Sequence, residues 1–465
     1  MKIDLIQPRH NYASENKSKL GHLYMPTSLL TVGARLLNIG VDVDFYDENF
    51  KFYDNKTNYV GVNLLGAPYI PEVIKLQQRI KQNSKEDFKF ILGGQVISGL
   101  SKDQFTRLFG QSAYNGNNDS ILLNSLGINL RKLPSPESIS LISTYKKLDD
   151  KLMKEYLSRE FSIYVSQGCK FACDFCAAVR TYEDPITQEI IKIKESYRDI
   201  EVIKNDLDYL VTKAESFGLK NLQLYMSNLD VFQSPGQLLN FAYAVQDVKK
   251  SHPQFNINLR GLSTVASFIK TRDENRQSIE ELIKAGFNTV GFGVDGMTPQ
   301  VWRQVKKGHN TEDKCIEAIR SAREDFGLTP ETLMVFGHEG VDTEETLKAA
   351  YEFTLDMVKK YRAIPRPHVS KAFIPGNKGW TDPKYSEQVE KLIKNPESFQ
   401  SLDFTALPSI LTHPEIGLRE LATKYFLQIC SIPECTTLYT TPITHTMGHT
   451  EIREKNKFNE GRFDH

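Results

Sequence analysis

Ser166-Gln167-Gly168-Cys169-Lys170-Phe171-Ala172-Cys173-Asp174-Phe175-Cys176 is the stretch around which the rest of the chain is read. Its three cysteines, at C-x3-C-x2-C, fit three corners of a cubane 4Fe-4S cluster, because thiolates are soft, charged ligands that suit iron–sulfur chemistry. An electron-carrying cluster takes four cysteines, and no fourth lies nearby. One iron is then open to a substrate or cofactor. The alternative is three cysteines that pack in a core or bind zinc.

Outward from this stretch the pattern is strand and helix in alternation. Strands are expected at 161–165, 221–226, 256–260, 288–294, 332–337 and 368–373. Helices are expected near 201–217, 237–250, 277–285, 311–326 and 343–361. Val202, Ile203, Leu207, Leu210, Val211, Ala214 and Phe217 form an apolar stripe stopped by Gly218. Six parallel strands with five helices between them read as most of a barrel, and residues 161–375 are too few for eight full repeats. Upstream, strands at 2–6, 41–47, 59–65 and 88–92 alternate with helices at 26–40, 71–81 and 101–109. That order implies a doubly wound parallel sheet with right-handed crossovers. Ligands of such sheets bind at the carboxyl ends of the strands, where Gly66, Gly93-Gly94 and Asn115-Gly116 fall. The expected organisation is a first domain over 1–135, a linker over 136–160, the partial barrel over 161–375 and a mixed C-terminal segment over 376–465 that caps the barrel. Helices are expected in that last segment near 386–394 and 418–429.

Composition bounds the function classes. The chain has 465 residues, 40% hydrophobic and 25% charged, as an ordinary globular protein of two to three domains does. Lys+Arg and Asp+Glu both number 58, which argues against a broad nucleic-acid footprint. No apolar run approaches a membrane span, and Met1-Lys2-Ile3-Asp4-Leu5-Ile6 reads as a strand. Six cysteines, three of them clustered, argue for a reducing compartment, so a cytoplasmic location is expected.

With its aromatic residue before the last cysteine, the motif resembles the radical S-adenosylmethionine superfamily, and the resemblance runs over roughly residues 160–375. It implies an open six-stranded barrel whose free iron chelates S-adenosylmethionine, cleaved by one electron to a 5′-deoxyadenosyl radical. The electron would come from a donor such as flavodoxin or ferredoxin, and the substrate would be a small molecule or peptide. Phe175 sits where the family places an aromatic whose backbone meets the adenine. Ser227-Asn228-Leu229-Asp230 follows the second strand, where members hold polar groups toward the amino end of the cofactor, which makes Asn228 and Asp230 candidates. Arg260, expected to end the third strand, could fork onto a carboxylate or the ribose. Gly291-Phe292-Gly293-Val294-Asp295-Gly296 is similar to a family segment ending in Gly-x-Glu, with Asp295 in place of Glu. Lys306-Lys307-Gly308-His309 resembles the Lys-Gly-x-Thr element that follows. Val335-Phe336-Gly337-His338 resembles another strand end, with His338 near the family's Pro; a histidine there could act in acid–base chemistry.

A second resemblance links the N-terminal part to the cobalamin-binding, Rossmann-like domain of one subclass. It rests on Met25-Pro26-Thr27-Ser28-Leu29-Leu30, on Leu37 through Val43, on Ile91-Leu92-Gly93-Gly94-Gln95, and on Ser196-Tyr197-Arg198 after the cysteines. Residues 183–194 look inserted. The subclass implies cobalamin-dependent methylation or rearrangement at an unactivated carbon; a cobalamin-free radical enzyme and an iron–sulfur electron carrier are the alternatives. The Asp-x-His-x-x-Gly signature is absent, and His10 and His22 do not stand in that pattern, so cobalt would lack a histidine below it. Gly66, Gly94 and Gly116 would admit the corrin ring closely, and Gln95 and Asn115 would bond its amide arms.

Other readings compete at single positions. Asp230 and Asp295 could be caps or loop acids, Gly93-Gly94 a plain turn, and His338 structural. Cys315 has helical spacing with Ile316, Ile319 and Ala322 and is expected to pack. Cys430, Cys435, His445 and His449 give C-x4-C-x9-H-x3-H, but the middle gap is short for a zinc finger and Cys430 follows an apolar stripe. Neither cysteine is expected to bind metal.

Overall fold

The structure, a computed structural model, describes residues 1–9, 25–54, 57–83, 88–128, 132–171, 173–177, 195–402 and 413–437. His10, His22, residues 183–194, His445 and His449, singled out above, lie outside these residues. Contacts divide the chain into two units. One comprises Met1–Glu155, Phe175–Ile191 and Phe373–Asp403; the other comprises Tyr156–Asp174, Lys192–Ala372 and Phe404–His465.

The first unit is built on five parallel strands, β1 (Lys2–Gln7), β2 (Asp42–Asp47), β3 (Tyr59–Asn63), β4 (Lys89–Gly93) and β5 (Ala113–Asn115), in the order 2-1-3-4-5. This is a doubly wound order, and its reversal falls between β1 and β3. β1 is buried along all but its first residue, as a strand covered on both faces must be. The helix Thr27–Asn38 lays Leu29 and Leu36 into a core that also holds Ile3, Leu5, Val43 and Ile91. Its Arg35 grips both oxygens of Asp119, at 3.1 and 2.5 Å. The helix Lys102–Phe109 begins with a complete capping box. Ser101 Oγ accepts from the Gln104 amide, and Gln104 Oε1 accepts from the Ser101 amide.

The stretch expected as one C-terminal segment divides between the units. Residues 373–403 group with the first unit, where Trp380 Nε1 donates to Gln104 Oε1 at 3.1 Å and Arg107 forks onto Glu390. The helix Ile416–Cys430 belongs to the second unit. The expected linker contains short helices at Ile142–Tyr145 and Asp150–Leu157, and its last residue, Glu160, already opens a strand.

The second unit is a parallel sheet of six strands. β6 (Glu160–Ile163) begins it, and the cysteine loop is bracketed by a two-stranded antiparallel ribbon, β7 (Ser166–Gln167) and β8 (Ser196–Tyr197). The main sheet continues with β9 (Asn221–Met226), β10 (Asn256–Ser263), β11 (Phe287–Gly293), β12 (Thr329–Phe336) and β13 (Ile364–Val369). Spatial order follows chain order, 6-9-10-11-12-13, which is the curled half-barrel expected from the alternation. Capped helices separate the strands, with Asp199, Thr311 and Thr343 bonding the first turns of Ile200–Ser216, Glu312–Glu324 and Glu344–Tyr361.

Three sequence expectations are corrected here. β10 runs three residues past Arg260, so this residue lies within the strand rather than at its end. Beyond Arg260, Gly261 pairs with Val290 and continues the ladder. A helix at Val265–Glu274, N-capped by Thr264, was not expected. The last strand starts at Ile364, not His368. Its Ile-Pro-Arg-Pro-His-Val sequence argues against a strand, because proline cannot donate to a ladder, but β13 is an edge strand, where proline is tolerated.

Candidate active site

The cysteine loop leaves the barrel at the carboxyl end of β6 and returns through β8. Cys173 is buried, while Cys169 and Cys176 are half-buried. Phe175 lies between the second and third cysteines on the same loop. Among the described residues no three His, Cys, Asp or Glu side chains converge as metal ligands.

Several groups hold this loop. Gly168 adopts φ +96, and its carbonyl accepts from Gln233 Nε2 at 3.2 Å, while the Lys170 amide donates to Gln233 Oε1 at 2.8 Å. The Asp174 amide donates to the Val305 carbonyl at 3.3 Å, and Lys306 Nζ lies 2.9 Å from Asp174 Oδ1. Phe171 stacks on His309 with centroids 4.2 Å apart. Burial first, then the nearby Lys307 cation, pushes His309 down to about 4, so its ring is neutral at pH 7.

Beside the loop, four polar groups meet. Asn228 Nδ2 donates to Ser166 Oγ at 2.6 Å and reaches Glu195 Oε1 and Tyr197 Oη at 3.4 Å; Ser166 Oγ donates to Glu195 Oε1 at 2.6 Å. Burial raises the Tyr197 phenol well above its ordinary range. Asn228 Oδ1 and Glu195 Oε2 are buried and accept no hydrogen bond among the described residues. A pair of orphaned acceptors is a site for a cationic donor.

The other expected strand-end residues are engaged by protein partners. Asp230 is fully buried and accepts from Ser263 Oγ at 3.0 Å, the Thr264 amide at 3.3 Å and Thr264 Oγ1 at 2.9 Å. Asp295, with φ +56, forms a buried ion pair with Lys307. His338 Nε2 faces the Asp295 carbonyl at 2.9 Å. Arg260 forks inside the barrel onto Glu331 Oε1 at 3.0 Å and Glu160 Oε1 at 2.8 Å, and Arg366 reaches Glu331 Oε2 at 2.7 Å. Two guanidiniums and two carboxylates thus balance in a dry interior.

In the first unit, Gly94 has φ +105, and a Cβ there would lie 2.4 Å from the Leu64 carbonyl, so only glycine fits. Asn117 clamps it by accepting from its amide at 2.6 Å and donating to its carbonyl at 2.9 Å. Asn115 Oδ1 accepts from the Asn117 amide at 3.0 Å. Gly116 packs against Ile91, where a Cβ would lie 2.8 Å from that side chain. Gly66 is extended (φ −141) and opens a short 3-10 turn, and half-buried Gln95 opens the helix after the Gly-Gly turn. Sequence reasoning passed over Gln7 and Asn63, which end β1 and β3 at the reversal of strand order. Both are buried, and Gln7 Nε2, Gln7 Oε1 and Asn63 Nδ2 have no hydrogen-bond partner among the described residues. It also passed over Gln233, Glu195 and Ser166. The one available signal was Ser166 itself, three residues before the first cysteine.

Among curated proteins none matches this chain. The fold is shared with the radical S-adenosylmethionine methyltransferase TsrM from Kitasatospora setae, solved with cobalamin and a 4Fe-4S cluster bound. The TM-score is 0.57 at 14% identity, over 81% of this chain and 76% of that one. It is shared too with OxsB, a cobalamin-dependent S-adenosylmethionine radical enzyme solved with aqua-cobalamin and S-adenosylmethionine, with a TM-score of 0.58 at 13% identity. That match covers 86% of this chain but 56% of OxsB, so the chain spans little more than half that protein's length. Among the described residues no helix is long and apolar enough to cross a membrane. The model of the Radical SAM superfamily matches residues 163–350, the span from the end of β6 into the helix after β12.

Proposed function

We propose that this protein is a radical S-adenosylmethionine enzyme that carries a 4Fe-4S cluster on Cys169, Cys173 and Cys176 and uses cobalamin to methylate an unactivated carbon of a small molecule or peptide. The observation that carries the reading is the three-thiol loop beside two buried, unpartnered acceptors, Asn228 Oδ1 and Glu195 Oε2. Bound together, the groups supply a 5′-deoxyadenosyl radical and a transferable methyl group, the reducing electron coming from a flavodoxin- or ferredoxin-type donor.

The chain's own residues bind, orient and exclude. Asn228 and Glu195 suit the ammonium of S-adenosylmethionine, and the Phe175 backbone its adenine. Asp230 does not touch the cofactor in this reading; it fixes the β9 loop through Ser263 and Thr264. Arg260 holds the barrel interior. His338 is the acid–base candidate: its Nε2 faces the Asp295 carbonyl, which can only accept. In the first unit, the buried amides of Gln7 and Asn63 join Gln95 and Asn115 as partners for corrin amide arms, and Gly66, Gly94 and Gly116 admit the ring.

Anaerobic reconstitution tests this. Wild-type protein is expected to hold four irons and four sulfides, to form 5′-deoxyadenosine, and to keep corrin absorbance after desalting. Each single Cys→Ala change is expected to abolish deoxyadenosine formation. Full iron and sulfide in the triple variant refutes the cluster assignment, and loss of all corrin after desalting favours a cobalamin-free radical enzyme.

A further inference from the structure

The turn after Gln304 touches the cysteine loop at successive points. Val305 accepts from the Asp174 amide, Lys306 pairs with Asp174, and His309 stacks on Phe171. Lys306 adopts φ +57, which bends the chain so that its own side chain and that of Lys307 diverge. Lys306 is exposed; Lys307 is 4% exposed.

A buried ammonium needs a reason to stay charged. Lys307 has Asp295 and the Gly293 carbonyl at 2.5 Å. Gly293 is what makes room: a Cβ there would lie 2.5 Å from Lys307 Nζ and 2.9 Å from Asp295 Oδ2. Desolvation works against the cation, but Asp295 first and then Cys173 favour its charged form. Cys315 is pushed up to about 12 by burial, and His309 is neutral at pH 7.

We propose that the buried Lys307–Asp295 pair, next to the turn that touches the cysteine loop, sets the electron affinity of the 4Fe-4S cluster, with Lys307 favouring the reduced state and Asp295 restraining it. The inference rests on the cluster assignment above. One-electron reduction adds a negative charge to the cluster, and a fixed cation in a low-dielectric site stabilises that charge more than water would. Pairing the cation with a carboxylate limits the effect, which keeps the cluster reducing enough for its chemistry. Lys307 is a positioning and tuning residue; it does not touch the reacting atoms.

The test is the cluster's midpoint potential, read by electron paramagnetic resonance during an anaerobic redox titration of reconstituted full-length protein. Lys307→Met is expected to shift the midpoint to more negative potential, Asp295→Asn to more positive potential, and the double variant to a value between them. Lys307→Arg, which keeps the charge, is expected to restore the wild-type midpoint. Shifts of opposite sign cannot come from simple loosening of the loop, which would move both variants the same way. A wild-type midpoint in all variants that hold a full cluster, or shifts of one sign in both single variants, overturns the inference while leaving the cluster assignment intact. Wild-type protein that assembles no four-iron cluster overturns the underlying reading, and this one with it. If Lys307→Met does not fold, the positive shift expected of Asp295→Asn still decides, and its absence or a negative shift overturns the inference.

Discussion

Glu331→Gln is the most revealing single change inside the barrel. Glu331 is fully buried on β12 and accepts from Arg260 at 3.0 Å and Arg366 at 2.7 Å. Burial opposes its ionisation, but the two guanidiniums overcome this and hold the carboxyl below its ordinary range. The amide keeps the shape and removes the charge, leaving two buried cations with Glu160 as their remaining counter-charge in the network. Removing one partner of a buried ionic network costs about 3–5 kcal/mol, a large share of the roughly 5–15 kcal/mol that holds a domain together. Urea unfolding of the apo protein, followed by far-ultraviolet circular dichroism, measures it. The sign of the pH dependence follows from the lowered carboxyl. Its stabilisation is present above pH 4.5 and is lost as pH falls below that value, and the variant should lack this acid-sensitive part. Adding Arg366→Met should recover part of the loss, because charge is then removed in pairs. A loss under about 1 kcal/mol for Glu331→Gln would refute the claim that the network is desolvated.

The remaining predictions concern separate sites. Glu195→Gln is expected to weaken S-adenosylmethionine binding by about 1.5–3 kcal/mol, the scale for a lost hydrogen bond to a charged group, and unchanged affinity in equilibrium dialysis would rule out its role. Gly94→Ala should destabilise the first unit by at least about 1–2 kcal/mol through its positive φ and reduce corrin retention; normal values of both would show that the turn tolerates a side chain. His368 is buried, and burial with the Arg366 cation pushes it down to about 3. The unfolded chain therefore takes up a proton near pH 6.5 that the folded protein refuses, so stability should fall below pH 6.5 by up to about 1.4 kcal/mol per pH unit; His368→Gln should flatten that slope. Cys430 and Cys435 are fully buried, and their double change to Ser should leave metal content unchanged, so lost zinc or iron would contradict a packing role.

Much of this fold was legible because its signals are local. The stripe from Val202 to Phe217 and its Gly218 stop mark a helix without reference to anything distant. The expected strand at 221–226 matches β9. What escaped depends on distant partners. The end of β10 is set by its neighbour β11, not by Gly261 or Ser263. β13 tolerates its prolines because, among the described residues, no strand pairs with its outer side. The site divides the same way. The cysteines announce themselves by spacing, whereas Gln7 and Asn63 look like ordinary strand-end amides until burial shows that they have been left without partners. Glu195 borders a stretch that resembles an insertion, and only folding brings it to Asn228.

The two prolines of β13 bear on how this protein avoids sticking to itself. Ser370 donates its amide to Phe336 of β12. Residues two and four positions earlier, His368 and Arg366, share that orientation, so the amide nitrogens of Pro365 and Pro367 point away from the sheet. An open half-barrel has a border where a second chain could add a strand and template aggregation. Here that border lacks two of the donors such an intruder would need, and the helix Ile416–Cys430 packs against the same strand. Replacing both prolines would restore the missing donors, and the expected consequence is a loss of solubility at high concentration rather than a loss of fold.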